Sequence, residues 1–251
     1  MPYPIPLTDK VALVIGGTGG IGAATARMLA EGGARVVLTH RPGKAGPAEE
    51  FLHQLPGDGH ATFPAEVADT ASLLKLRDLI AERFGRLHIL VNTAGFTVPV
   101  PHADLESLTD DLIDRMFQVN WRGQFAAIRT FAPMLKASGS GLVVSISSIA
   151  AFTGVGSSIA YCAAKAGIDV MTKSLARALA PGIRVMAVSP GVVDTGFVPG
   201  RGADFNDKVS ASTPLKRIAT ADDIAAAVLA CATHLGFSTG TTVVVDGGRA
   251  L

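Results

Sequence analysis

Charge is what this 251-residue chain has least of. Asp, Glu, Lys and Arg together make up 17%, below the usual quarter. The net charge is +1, with no block of like sign. A basic field able to hold nucleic acid is therefore missing, and no nucleic-acid partner is expected. The two cysteines, Cys162 and Cys231, are too few for a disulfide framework and suit a reducing compartment. No uninterrupted apolar run has the length of a bilayer span, so no membrane partner is expected. The first residues lack the basic stretch that precedes the apolar part of a signal peptide. The cytoplasm is the expected location. His53, His60, His88, His102 and His234 show no metal-ligand spacing with cysteine or with one another. Each reads as a surface or loop histidine, and no metal site is expected.

What the chain does have is apolar residues. They make up 48%, enough for a large interior and a subunit interface. With so few charges outside, a homodimer or homotetramer is expected. Short β-branched runs alternate with longer amphipathic stretches. Strands are predicted at 10–15, 35–39, 60–64, 87–92, 141–146, 184–188 and 241–246. Helices are predicted at 21–32, 49–55, 70–84, 159–179 and 221–232, with one long or two shorter helices over 108–135. In 70–84, Leu73, Leu76, Leu79 and Ile80 recur at helical spacing. Such alternation predicts an α/β fold, a parallel sheet of about seven strands with helices on both faces. No linker divides the chain, so residues 1–251 read as one domain. Segment 196–214, rich in Gly, Pro and polar residues, is the least regular and is expected to form a lid.

Gly16-Gly17-Thr18-Gly19-Gly20-Ile21-Gly22 joins the first predicted strand to the first helix. A tight turn needs glycine, and so does close approach of a pyrophosphate to the backbone. The helix start then offers free N–H groups and a positive dipole end. The alternative is a glycine-rich turn with no ligand. The strand, loop and helix together favour a dinucleotide and a Rossmann-type doubly wound sheet. An acidic residue that would grip the NAD ribose is expected about 20 positions on. Here the second strand ends Thr39-His40-Arg41. Arg41, helped by His40 and Lys44, could pair with a 2′-phosphate, so NADP(H) is favoured over NAD(H).

Tyr161 and Lys165 lie four apart in a predicted helix and so face one side. A free tyrosine, with pKa near 10, is a poor base at neutral pH. A neighbouring ammonium favours the phenolate. Tyr161 could then exchange a proton with a carbonyl or alcohol oxygen. Upstream, Ser148 closes Ser145-Ile146-Ser147-Ser148 at a strand end, where open α/β sheets bind ligands. Its hydroxyl could donate to a developing alkoxide. The bland alternatives are a surface tyrosine with an unrelated lysine, and turn-forming serines.

With these segments in this order, the chain resembles the single-domain branch of the short-chain dehydrogenase/reductase family from about Lys10 to Gly248, and in general layout its 3-oxoacyl reductases. Also in order are Val91-Asn92-Thr93-Ala94-Gly95, Asn120, Pro190-Gly191-Val192-Val193-Asp194-Thr195 and Val245-Asp246-Gly247-Gly248. The resemblance implies roles. Tyr161 is the acid/base, Ser148 polarises the carbonyl, and Lys165 holds the nicotinamide ribose and tunes the tyrosine. Asn120 holds a proton-relaying water. Gly16, Thr18, Gly20, Ile21 and Gly22 hold the pyrophosphate. Glu66, Val67, Asn92, Ala94 and Gly95 line the adenosine side, and Pro190, Gly191, Val193 and Thr195 the nicotinamide. Three positions depart from the pattern. Ile15 replaces a threonine that braces the loop, Thr93 replaces a second asparagine, and Glu66 stands where aspartate is usual.

The expected reaction is interconversion of a small-molecule ketone and a secondary alcohol. Phe96, Ala150, Phe152, Ser158, Val192, Phe197 and Val198 follow strand ends or flank the tyrosine, and are the candidate substrate wall. The competing readings are a dinucleotide sensor without turnover, and an epimerase or dehydratase using the same cofactor.

Overall fold

The computed structural model describes residues 3–199 and 204–251. Seven strands form one wholly parallel sheet in the order β3-β2-β1-β4-β5-β6-β7. They are β1 (Val11–Ile15), β2 (Arg35–His40), β3 (Ala61–Pro64), β4 (Ile89–Asn92), β5 (Gly141–Ile146), β6 (Ile183–Pro190) and β7 (Thr242–Val245). β1 and β5 are buried throughout, which is why they read as unbroken apolar runs.

Helices cover both faces. On one lie α1 (Gly20–Glu31), α2 (Ala45–Leu52) and α9 (Ala221–Thr233), closing a core of Ala12, Val14, Leu29, Val36, Ile224 and Val228. On the other lie α3 (Thr70–Phe84), α5 (Gly123–Ala137) and α7 (Ile159–Leu179), packed on Leu13, Leu76, Leu90, Phe131, Val143 and Ile168. The α3 stripe is as the spacing predicts, except that Leu79 is exposed. The shorter helices are α4 (Asp110–Phe117), α6 (Ala150–Thr153) and α8 (Phe205–Ser212). The predicted helix over 108–135 is α4 and α5 joined by a π-helical turn, Gln118–Arg122.

Strand order reverses between β1 and β4, and the loops after those two strands meet there. A Cβ on Gly16 would sit 2.7 Å from the Ala94 nitrogen. This crevice at the strand ends is where an open α/β sheet receives a ligand.

Two expectations need correction. Segment 196–214 is not irregular throughout, because α8 and its following turn occupy much of it; residues 200–203 lie outside the described ones. His88 is not a surface histidine. It is buried, and its Nδ1 accepts the Val11 N–H at 3.0 Å. His60 likewise accepts the Val36 N–H.

Candidate active site

The glycine loop leaves β1 and enters α1 with little room to spare. Gly16 has φ +83°, and a Cβ on Gly22 would lie 2.2 Å from the Gly16 carbonyl oxygen. Bracing comes from two threonines. Thr39 Oγ1 accepts the Gly16 N–H at 2.9 Å, and Thr93 Oγ1 donates to the Ile15 carbonyl at 2.8 Å. The brace that Ile15 cannot supply thus comes from β2 and from the residue after β4. Gly19, the first cap of α1, has no side chain bonded over the helix start, and the first turn holds no acidic residue. Uncapped N–H groups, a positive dipole end and a bare backbone suit a pyrophosphate.

Around the loop, Thr18 is exposed and Ile21 half-buried. Beyond β2, His40 is buried with Nδ1 on the Arg41 carbonyl, while the Arg41 and Lys44 side chains are exposed. No carboxylate stands at that strand end. Glu66 is half-buried, with Oε1 turned to the Ala68 N–H, and the Val67 carbonyl packs at Gly123. Asn92 is buried, its amide reaching Ser145 Oγ at 3.4 Å, while its Oδ1 has no partner among the described residues. These residues fit a dinucleotide.

A cavity of about 820 Å³ opens from Ile21, Thr93 and Gly95 across to Ser148, Tyr161 and Lys165. Pro190, Gly191, Val192, Val193 and Thr195 form its next side. A Cβ on Gly20 would meet Thr195 Cγ2 at 2.7 Å, so this side abuts the glycine loop. Ser158 caps α7, its Oγ accepting the Tyr161 N–H at 3.1 Å. That bond fixes the turn carrying Tyr161. Lys165, one turn on, is 3% exposed, and its Nζ donates to the Ile146 carbonyl at 2.7 Å. The same Nζ lies 5.6 Å from the Tyr161 ring centre. Burial pushes the lysine down to about 8, partly offset by Asp169.

Asp169 had no place in the sequence reading. It sits one turn past Lys165, where Thr242 Oγ1 donates to it at 3.3 Å. Burial raises its pKa, against hydrogen bonds from Ser147 and Thr242 and the charges of Lys173 and Lys165. Ser148 Oγ accepts the Ala150 N–H at 3.2 Å. Asn120 is fully buried in the π-helical turn. Its amide donates to the Phe96 and Met116 carbonyls, and its Oδ1 accepts the Phe96 N–H. The side chain thus ties the loop after β4 to the helix, with one oxygen lone pair over.

Of the candidate substrate wall, Ala150, Val192, Phe197 and Val198 line the cavity. The Phe197 ring lies 6.2 Å from that of Tyr161. Three other residues of the expected wall are elsewhere. Ser158 is buried as the helix cap, Phe152 is 54% exposed, and Phe96 packs with Met116 and Ala160 beneath the Arg115 guanidinium. Unanticipated lining includes Val155, Phe205 and Arg249. Among the described residues no group of His, Cys, Asp and Glu could hold a metal ion, and no helix is long and apolar enough to cross a membrane.

Comparison with known proteins decides the family. A family model described as Enoyl-(Acyl carrier protein) reductase matches residues 16–250. The chain is 37% identical to cis-4-hydroxycyclohexanecarboxylate dehydrogenase of Sinomonas cyclohexanicum, over 96% of each protein. It belongs to the short-chain dehydrogenase/reductase family. D-threitol dehydrogenase of Mycolicibacterium smegmatis is also 37% identical, over 98% of this chain and 95% of that one. A short-chain dehydrogenase/reductase structure from Serratia marcescens superposes with a TM-score of 0.88 at 33% identity, covering 98% of this chain and all of that one. The family's members are oxidoreductases that use NAD(P)(H).

Proposed function

We propose that the protein interconverts a ketone and a secondary alcohol, with NADP(H) preferred over NAD(H) and Tyr161 as general acid and base. The observation that carries this reading is Tyr161, Ser148 and the buried Lys165 converging on one largely apolar cavity. The two relatives named above as dehydrogenases, of an alicyclic hydroxy acid and of a polyol, support the reaction class.

When bound, the nicotinamide supplies the hydride in one direction and accepts it in the other. Tyr161 hands its phenolic proton to the substrate oxygen in reduction and takes it back in oxidation. The Lys165 ammonium stabilises the phenolate this leaves. Ser148, with its oxygen accepting from Ala150, keeps its one proton for the same substrate oxygen. Asn120 acts chiefly by holding the Phe96 loop, and a relaying water is left its remaining lone pair. Gly16, Thr18, Gly20, Ile21 and Gly22 would hold the pyrophosphate. Glu66, Val67, Asn92, Ala94 and Gly95 would flank the adenosine, with His40 and Arg41 toward a 2′-phosphate. Pro190, Gly191, Val193 and Thr195 would position the nicotinamide.

The enzyme works in this reading as a cytoplasmic homodimer or homotetramer, one domain per chain, with the part of 196–214 that carries Phe197, Val198 and α8 covering the substrate. The test is loss of reduced-nicotinamide absorbance with NADPH and with NADH, against a panel of ketones. Tyr161→Phe is expected to lower turnover by about 10²–10⁴-fold. Turnover equal to wild type in that variant would overturn the tyrosine mechanism, and a preference for NADH would overturn the Arg41 argument. Tight NADPH binding with no carbonyl turned over would favour the sensor reading.

A further inference from the structure

The cavity beside Tyr161 is walled by Val192, Phe197, Phe205 and other apolar groups, and no acidic side chain is among its described lining. Among the described residues two cations reach it, Lys165 and Arg249. Lys165 is buried under Tyr161 with its Nζ on the Ile146 carbonyl. Arg249 has no such engagement. Its Nη1 donates to Ser212 Oγ at 3.0 Å, and among the described residues it forms no ion pair. A guanidinium has five N–H donors, so most of its fork is available to a ligand.

The turn that carries Arg249 is built to hold it still. The Asp246 carboxylate accepts the N–H groups of Gly248 at 2.9 Å and Ala250 at 2.8 Å, and the Asp246 carbonyl accepts that of Arg249. Gly191 seats this turn, since a Cβ there would lie 2.9 Å from Asp246 Cα. The turn follows β7, four strands from β1 in the sheet order. The glycine loop follows β1, so the two cavity-lining turns leave well-separated strands, and Arg249 lines the cavity with Val192, Phe205 and Ser212.

We propose that Arg249 is the carboxylate-binding residue of the substrate pocket, and that the substrate is an oxo acid or hydroxy acid with an apolar, alicyclic or branched, body. The proposal rests on the ketone–alcohol reading above. A planar fork matches a planar carboxylate with two parallel hydrogen bonds. One guanidinium balances one negative charge, whereas a phosphate monoester would bring up to two. The apolar walls between Tyr161 and Arg249 leave room for a hydrocarbon body and offer little to a polyol.

The experiment compares 4-oxocyclohexanecarboxylate with its methyl ester, using NADPH and NADH. Wild type is expected to favour the acid in kcat/KM by at least about 10-fold, and Arg249→Gln to abolish most of that ratio through KM. Arg249→Lys, which keeps the charge but not the fork, is expected to fall between. Calorimetry with cyclohexanecarboxylate supplies a readout free of turnover, with binding weakened about 10-fold or more by Arg249→Gln. Equal use of acid and ester by wild type, with no effect of Arg249→Gln on cyclohexanecarboxylate binding, would overturn the proposal while leaving the reductase reading intact. Arg249-dependent carboxylate binding with no ketone turned over would support the subsite and remove the reductase reading.

Discussion

His88 shows how one side chain can set a pH limit far from any chemistry. Its Nδ1 accepts the Val11 N–H, which only a neutral imidazole can do. Burial lowers its pKa from 6.5 to about 4, with the charges of Lys10, Arg86 and Arg35 acting the same way. Between those values the unfolded chain binds a proton that the native chain refuses. Stability is therefore lost as pH falls from about 6.5 to about 4, by at most about 3 kcal/mol. Urea unfolding at pH 7, 5.5 and 4.5 should show a shallower acid slope in His88→Gln, which keeps an acceptor but does not titrate. Identical slopes would mean that His88 is not the group responsible. Sequence reading missed this role because the partner lies 77 positions away. The same blindness hid Thr39 and Thr93 as braces of the glycine loop, and Arg249 as pocket lining. That Tyr161, Lys165 and Ser148 would share one cavity was legible because a helical spacing and a strand end are local signals. Phe96, Phe152 and Ser158 were misplaced because a position near a strand end does not say which way a side chain points.

At the level of elements, boundaries tracked local signals. α3 begins at 70 and ends at 84 as predicted, with the Asp69 side chain on the Ala71 N–H and Gly85 at φ 66° closing it. α2 starts earlier than expected, at Ala45, and its one buried residue, Ala48, leaves no apolar stripe to read. α8 was not foreseen, since Val209 is its only buried residue among polar neighbours. α7 was, and its first turn carries Tyr161, the proposed acid and base. Ser158→Ala removes the cap from the Tyr161 N–H and is expected to cost about 1 kcal/mol of stability. Because Tyr161 sits in the uncapped turn, kcat should fall more than KM rises. Thermal melts and steady-state kinetics together check this. A drop in melting temperature with kcat intact would make the cap purely structural.

For the whole molecule, the strand–helix alternation announced the doubly wound sheet, and no other scale was as legible. Self-association is the prediction that belongs here. Val170 is 62% exposed in the middle of α7, and Ile159 and Phe117 are exposed nearby in chain position or on α4. Covering them in a homodimer or homotetramer would account for a surface so poor in charge. Light scattering should give a multiple of the 25.7 kDa chain, and Val170→Glu should shift it toward the single chain. A single-chain mass for wild type would end that reading. The parallel sheet also sets a timetable for the ribosome. Ala12 of β1 pairs with Ile89 of β4, so no local hairpin can bring them together. At about 5–20 residues per second, one edge of β1 waits roughly 4–15 s for its neighbour to be made. For those seconds a nascent Val-Ala-Leu-Val-Ile strand has half its backbone unpaired, beside a glycine loop that still lacks its Thr93 brace. That interval is when a chaperone at the exit tunnel would have the most to shield.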